Sequence, residues 1–369
     1  MERPIFKPVG TPVAELDTPA LVVDLTVLEQ NLATVHAFFR NRTARIRPHV
    51  TAHRCPALAH KQLAAGDTVG GISVTTLGEA EVFANNGFHD IVVANTVVTV
   101  PKIRRLCALA RGTTLTIAVD HPANVQQLSE AASAHGVTLQ VLVQLHTRQH
   151  PWGILPGQPA VELARLVHAA PHLTFVGLMT QEGSYLPADP GATAAESQEY
   201  LRPVLETRTL LAQSGIPVRT VSAGNTSNYE VVGAMEGVTE VPAGTYALMD
   251  ARYSQYCPQL KPAARVLTTV TSRPQADTAI TDAGQKAVSV DRGLPVAADL
   301  GGAKVTSLSA EHCRLQLESA ADGRLHLGDK LWLTPQDIGT CVNLYDYIHA
   351  VRNDQLEAVW RVAARGQYR

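Results

Sequence analysis

The sequence predicts an α/β protein, a (β/α)8 TIM barrel followed by a smaller β domain. Three observations lead there. Strand-like apolar runs alternate with helix-like runs eight times between Ala44 and Met249, the number that closes such a barrel. After Tyr253 the helical period stops, and short strand-like pieces separated by turn residues take over. Neither a GxGxxG nor a GxxxxGKS/T stretch occurs; an open doubly wound nucleotide-binding sheet would usually carry one in its first turn.

Taken in order, residues 18–25 (Thr-Pro-Ala-Leu-Val-Val-Asp-Leu) read as a strand. It precedes the barrel rhythm and needs a sheet partner, which assigns it to the β domain. Leu28–Phe39 follows as an amphipathic helix. Barrel strands are expected at Ala44–Val50, Gly71–Thr76, Asp90–Asn95, Thr114–Asp120, Leu139–His146, Leu173–Gln181, Val218–Gly224 and Glu240–Met249. The helices between them are expected at Pro56–Ala65, Leu77–Asn86, Pro101–Ala110, Asn124–Ala134, Ala160–Ala169 and Ala194–Gln213, with a short, less distinct one at Tyr229–Met235. Gly66, Gly87, Gly136 and Gly215 stand where four of these helical periods stop. In the β domain, strands are expected at Arg265–Ser272, Thr278–Thr281, Ala287–Val290, Lys304–Ser309, Cys313–Glu318, Lys330–Thr334 and Tyr347–Arg352. The division is residues 26–255 as the barrel, and residues 1–25 with 256–369 as the β domain.

Composition narrows the function. A chain of 369 residues with 45% hydrophobic and 17% charged content is that of a soluble globular protein with ample core. A net charge of -2 gives no basic footprint for nucleic acid or anionic membranes. The apolar runs fall far short of a membrane span, and the first residues show no signal-peptide pattern. Five scattered cysteines without a CxxC pair argue against a disulfide framework or a zinc ribbon. A reduced, cytoplasmic protein with a small-molecule substrate is expected.

The polar stretch Arg47-Pro48-His49-Val50-Thr51-Ala52-His53-Arg54-Cys55-Pro56 lies between the first barrel strand and its helix, where such barrels place chemistry. It resembles the segment Arg-Pro-His-x-Lys-x-His-Lys-Cys-Pro of the D-threonine aldolase and D-serine dehydratase family. These are fold-type III pyridoxal phosphate (PLP) enzymes with an alanine racemase-type barrel. The resemblance continues through Asp17–Leu21, Gly78–Val82, Glu240–Tyr246, Met249–Tyr253, Asp282–Ala287 and Val342–Asp346. It implies a barrel that carries the cofactor, a capping β domain and a homodimer. It also implies that the lysine forming the Schiff base falls at Thr51, so no covalent PLP is expected. The family's phosphate-holding turns fall at Asn225-Thr226-Ser227 and Gly244-Thr245-Tyr246. There, two glycines of the first turn are replaced by residues whose side chains would crowd an approaching phosphate. An ordinary turn without a ligand is the other reading. The family's arginine falls at Pro151, and its metal pair falls at Asp337 and Gly339.

The strand ends nonetheless offer His49, His53, His146 and His150. Imidazoles with Asp337 or Glu182 could hold a divalent metal with an open position, or act as general acids and bases. They could also be inherited scaffold. Glu182 and Tyr185, after the sixth strand, are further acid/base candidates. Cys55 and Cys341 would need a basic neighbour to react. Lys286 reads as a structural ion-pair residue, with Asp291 as the expected partner. Three functions stay open: lyase, aldol-type or isomerase chemistry on a small amino-acid-like or anionic substrate without a Schiff base; a PLP enzyme holding the cofactor noncovalently or through another lysine; and a catalytically silent regulatory relative.

Overall fold

A computed structural model describes residues 7–147, 152–180, 186–297, 299–318 and 325–369. The chain separates into two compact units: Val35–Thr51, Ala59–Gly244 and Gly366–Arg369 form one, and Met1–Thr34, Ala52–Leu58 and Thr245–Arg365 form the other.

Strand β1 (Ala20–Asp24) and helix α1 (Leu25–Phe39) lead into the barrel. Its elements then alternate: β2 (Arg45–Pro48), α2 (Pro56–Ala64), β3 (Ile72–Val74), α3 (Leu77–Ala84), β4 (Asp90–Thr96), α4 (Val100–Leu109), β5 (Thr114–Val119), α5 (Pro122–His135), β6 (Leu139–Gln144), α6 (Gln158–Ala169), β7 (Leu173–Met179), α7 (Thr193–Gln213), β8 (Thr220–Ser222), α8 (Tyr229–Val232) and β9 (Glu240–Ala243). The strands pair in parallel in the order β2-β9-β8-β7-β6-β5-β4-β3. Bridges from Ile46 to Thr68 and from His49 to Ser73 bring the last strand round to the first, so the barrel is nearly closed.

Local chemistry sets the helix ends. Thr76 and Glu79 form a capping box at the start of α3. Gly66, Gly87, Gly136 and Gly215 have φ of 82°, 89°, 64° and 73°, the left-handed conformation in which a helix stops most readily at glycine. Inside the barrel, Val92, Ala94, Ala118, Leu142, Val176 and Met179 pack as one apolar cluster. Arg47 is buried between two carboxylates, with its Nε 2.9 Å from Glu240 and a terminal nitrogen 3.2 Å from Asp90. A buried guanidinium is tolerated because it is paired in this way.

The other unit contains a sheet of β10 (Ala264–Gln275), β11 (Thr278–Thr281), β12 (Ala303–Leu308), β13 (Cys313–Leu317), β14 (Lys330–Leu333), β15 (Tyr347–Arg352) and β16 (Gln355–Arg361), with helix α9 (Ile338–Val342) before β15. Strand β1 lies between β10, to which it is antiparallel, and β15, to which it is parallel. Ala287–Val290, expected as a strand, is a turn: the N–H groups of Ala287 and Val288 both donate to the Gly284 carbonyl. The eighth barrel strand stops at Ala243, because Thr245–Ala247 coil into a 3-10 turn. No helix among the described residues is long and apolar enough to cross a membrane.

Candidate active site

Proline at position 48 ends β2, and the next residue is held to the neighbouring strand: the His49 N–H donates to the Ala243 carbonyl at 2.9 Å. This turns the imidazole toward the carboxyl ends of the strands. Its Nδ1 lies 2.6 Å from the Ser73 hydroxyl and its Nε2 3.3 Å from the Thr75 hydroxyl. His49, Ser73, Thr180, Ser222 and Asn225 supply the polar lining of a cavity of about 40 Å³, while Val92, Ala94 and Met179 supply the apolar lining. That volume suits a few water-sized groups.

Thr51 sits in the 3-10 turn Val50–Ala52. Its hydroxyl donates to Glu79 Oε2 at 2.6 Å and accepts the Thr75 N–H at 2.9 Å. The same carboxylate oxygen accepts the N–H groups of Thr75 and Thr76 at 3.0 and 3.3 Å. Glu79 is buried, and its charge meets the exposed N–H groups at the start of α3, where an anion is favoured. Thr51 is therefore one donor in a satisfied polar network rather than a loose hydroxyl.

The remaining expected residues fall in separate places. His53 belongs to the other unit, is fully buried, and accepts the Cys55 N–H on Nδ1 at 3.1 Å. That bond places its ring proton on Nε2 and shapes the turn before α2. His146 follows β6, half-buried, with its backbone N–H donated to Ile154 at 2.8 Å; it is not among the cavity's lining residues. His150, Pro151, Glu182 and Tyr185 lie outside the described residues.

The turn after β8 is closed on itself. Asn228 Oδ1 accepts the Asn225 N–H at 2.8 Å, and Asn225 Oδ1 accepts both the N–H and the hydroxyl of Ser227 at 2.7 Å. Asn228 Nδ2 is fixed in turn by Ser197 and Tyr200. Asn225, Thr226 and Ser227 are all buried. Gly244 is buried at the end of β9. In the other unit, the Thr245 carbonyl accepts the N–H groups of Leu248 and Met249, and the Tyr246 ring is fully buried.

Asp337 caps α9 through the Thr340 N–H at 3.0 Å. Among the described residues, no three His, Cys, Asp or Glu side chains gather in a metal-binding group, so no metal ligand set forms around Asp337 there. Beside it, Asp250 accepts the N–H groups of Tyr253 and Ile338 at 2.7 and 3.2 Å. Burial pushes its pKa up to about 7, and the nearby Asp337 charge acts in the same direction. Burial also raises Cys55 to about 11 and Cys341 to about 12, so both thiols stay protonated and unreactive. Lys286 pairs with Glu311 rather than Asp291, whose carboxylate takes the Thr340 hydroxyl instead. Sequence reasoning did not single out Glu79, Ser73, Thr75, Thr180 or Ser222. Only Glu79 left a signal, the Thr76-x-x-Glu79 capping pattern.

A nearly closed parallel barrel with polar strand ends, together with a second unit built on a mixed β-sheet, is the alanine racemase-type fold. Residues 23–251 match the family model "Alanine racemase, N-terminal domain", and residues 263–351 match "Putative serine dehydratase domain". The chain is 33% identical to a D-threonine aldolase of Arthrobacter sp., covering 97% of this chain and 95% of that protein. It is 32% identical to a 3-hydroxy-D-aspartate aldolase of Paracoccus denitrificans (strain Pd 1222), covering 97% and 94%. The crystal structure of D-threonine aldolase from Filomicrobium marinum superposes with a TM-score of 0.93 at 32% identity, covering 98% of this chain and 99% of that one. The chain belongs to the D-threonine aldolase and D-serine dehydratase-like family.

PLP, the cofactor that the resemblance implies, does not fit these residues well. Covalent attachment needs an amine, and Thr51 offers a hydroxyl already engaged with Glu79 and Thr75. An anion at the turn after β8 needs free backbone N–H groups, and those of Asn225 and Ser227 already donate to side-chain carboxamides.

Proposed function

We propose that this chain is a lyase of its family that acts on a small β-hydroxy amino acid of D configuration, or a closely related anionic substrate, without a Schiff base at residue 51. The single observation that carries the reading is the Thr51 hydroxyl bound between Glu79 Oε2 at 2.6 Å and the Thr75 N–H at 2.9 Å. A hydroxyl cannot form an imine, and this one is held as a structural donor. The substrate class is supported by the relatives, whose names specify D-threonine and 3-hydroxy-D-aspartate.

The chain's own residues supply acid/base groups. His49 reaches the cavity with one nitrogen on Ser73 and the other beside Thr75. On this geometry His49 is assigned as the base that takes a substrate proton. His146 is assigned as a further acid/base group, and His150, Glu182 and Tyr185, outside the described residues, keep that assignment on the sequence alone. The Ser222 and Thr180 hydroxyls and the Asn225 carboxamide orient the substrate.

The test is turnover of D-threonine and 3-hydroxy-D-aspartate by protein freed of PLP, scored as glycine plus aldehyde for carbon–carbon cleavage or ammonia plus oxo acid for dehydration. Turnover that needs no added PLP and falls in His49→Gln is the expected result. Turnover that appears only with PLP, and traps the cofactor on a lysine with borohydride, overturns the reading.

A further inference from the structure

Ser73 lies at the middle of β3, on the face turned into the barrel. In the parallel register it stands opposite Val92 of β4, and both residues line the cavity that His49 reaches. The bridge between His49 and Ser73 is one of the two that bring the barrel round on itself, so backbone holds the two side chains together. Ser73 is 1% exposed, and among the described residues its hydroxyl has one partner, the His49 Nδ1 at 2.6 Å. Across the ring, Nε2 lies 3.3 Å from the Thr75 hydroxyl. Thr75 is only half-buried.

Burial decides which way these bonds run. A neutral imidazole carries one donor nitrogen and one acceptor nitrogen, so one of the two hydroxyls gives a proton to the ring and the other receives one. The Ser73 hydroxyl is enclosed, and a buried O–H left without an acceptor is destabilising; its acceptor is Nδ1. The ring proton then sits on Nε2 and points to Thr75, whose own O–H can turn to water. The row runs Ser73, His49, Thr75 outward from the cavity, and the remaining lone pairs of the Ser73 oxygen are left for a group held in the cavity.

We propose that Ser73 is a catalytic residue, its oxygen taking the substrate proton while its own proton passes to His49. The inference rests on the base assigned above and names the group that stands between that base and the substrate. As the substrate O–H or C–H bond breaks, its electron pair stays on the substrate and a new O–H bond forms on Ser73 Oγ. The old Ser73 O–H bond breaks as an N–H bond forms on Nδ1, leaving an imidazolium beside the substrate anion. The reverse path returns the proton to the product.

Two measurements on the full chain, freed of PLP, test it. In protein labelled with nitrogen-15 histidine, long-range proton–nitrogen spectra show which ring nitrogen of neutral His49 carries the proton, its signals being those lost in His49→Gln. Turnover of D-threonine and 3-hydroxy-D-aspartate is compared in the wild type, Ser73→Ala, His49→Gln and the double variant, each below its own unfolding temperature. The proton should sit on Nε2. Ser73→Ala should lose about a hundredfold in turnover, the usual scale for a proton-transfer group. The double variant should be no slower than the slower single one, because the two residues act as a unit. A merely structural serine would give losses that add, and that result overturns the proposal. So does a wild-type proton on Nδ1, which would make Ser73 the acceptor, or turnover by Ser73→Ala at the wild-type rate; both leave His49 standing as the base. A wild type that converts neither amino acid defeats the proposed function and this inference together.

Discussion

Changing Thr51 to lysine should not by itself give this chain a working PLP site. Lysine at position 51 supplies the amine, but the turn after β8 remains closed by its own side chains. Three hydrogen bonds close it: Asn228 Oδ1 with the Asn225 N–H at 2.8 Å, and Asn225 Oδ1 with the N–H and hydroxyl of Ser227, each at 2.7 Å. A phosphate entering the turn must displace all three. At about 1 kcal/mol net for each buried bond, the penalty is roughly 3 kcal/mol, on the order of a hundredfold in Kd. The triple variant Thr51→Lys/Asn225→Gly/Ser227→Gly removes the internal acceptor and reopens the backbone. The assay titrates PLP into each variant, follows the visible absorbance of the Schiff base, and fixes it with borohydride for peptide mapping. The triple variant removes the two bonds accepted by Asn225 Oδ1, about 2 kcal/mol, and should saturate at a PLP concentration about thirtyfold lower than Thr51→Lys alone. Equal titration of the two variants, with label on residue 51 in both, would refute the internal-capping reasoning.

Other consequences follow from the same contacts. Thr51→Val leaves the buried Glu79 carboxylate short of a donor and should cost about 1.5–3 kcal/mol, read as a lower urea midpoint at unchanged m. His53→Ala should lower stability by about 1–3 kcal/mol, because the Cys55 N–H loses its acceptor; an unchanged midpoint would contradict the structural role given to this ring. Asp250 gives a pH dependence. Its folded pKa is about 7, against about 4 for an unfolded aspartate. Between these values the folded state holds a proton that the unfolded chain has released. Asp250 therefore makes stability fall as pH rises from about 4 to about 7, with no further loss above. Denaturant midpoints across that range should flatten in Asp250→Asn relative to wild type. His49→Gln should reduce turnover about a hundredfold, the usual scale for losing a proton-transfer group, with an unfolding temperature close to wild type.

The barrel was legible because its signals are local. Each β-to-α repeat shows an apolar run, an amphipathic run and, at Gly66, Gly87, Gly136 and Gly215, a stop whose positive φ the structure confirms. The β domain was less so. Ala287–Val290 looks extended in composition, yet the N–H groups of Ala287 and Val288 returning to the Gly284 carbonyl make it a turn. Strand β16 carries Glu357 and Arg361 among its apolar residues, which hides an edge strand. In the site, His49 was legible from its place after a strand. The partner of Thr51 was not, because Glu79 is 28 residues away and its nearer sequence signal is that of an ordinary helix cap. Ser73, Thr180 and Ser222 are small hydroxyl residues at strand ends, chemically silent until the barrel brings them to one cavity.

The most direct test of the central claim is an absorbance spectrum of the purified wild-type protein through the near-ultraviolet and visible range. It would be recorded before and after PLP is added, then after borohydride, with turnover of D-threonine followed in parallel. The account predicts no Schiff-base band, no lysine labelled by reduction, and turnover unchanged by PLP. A reducible band that maps to a lysine and rises together with turnover would contradict it, and would return this chain to the covalent chemistry its family resemblance implies.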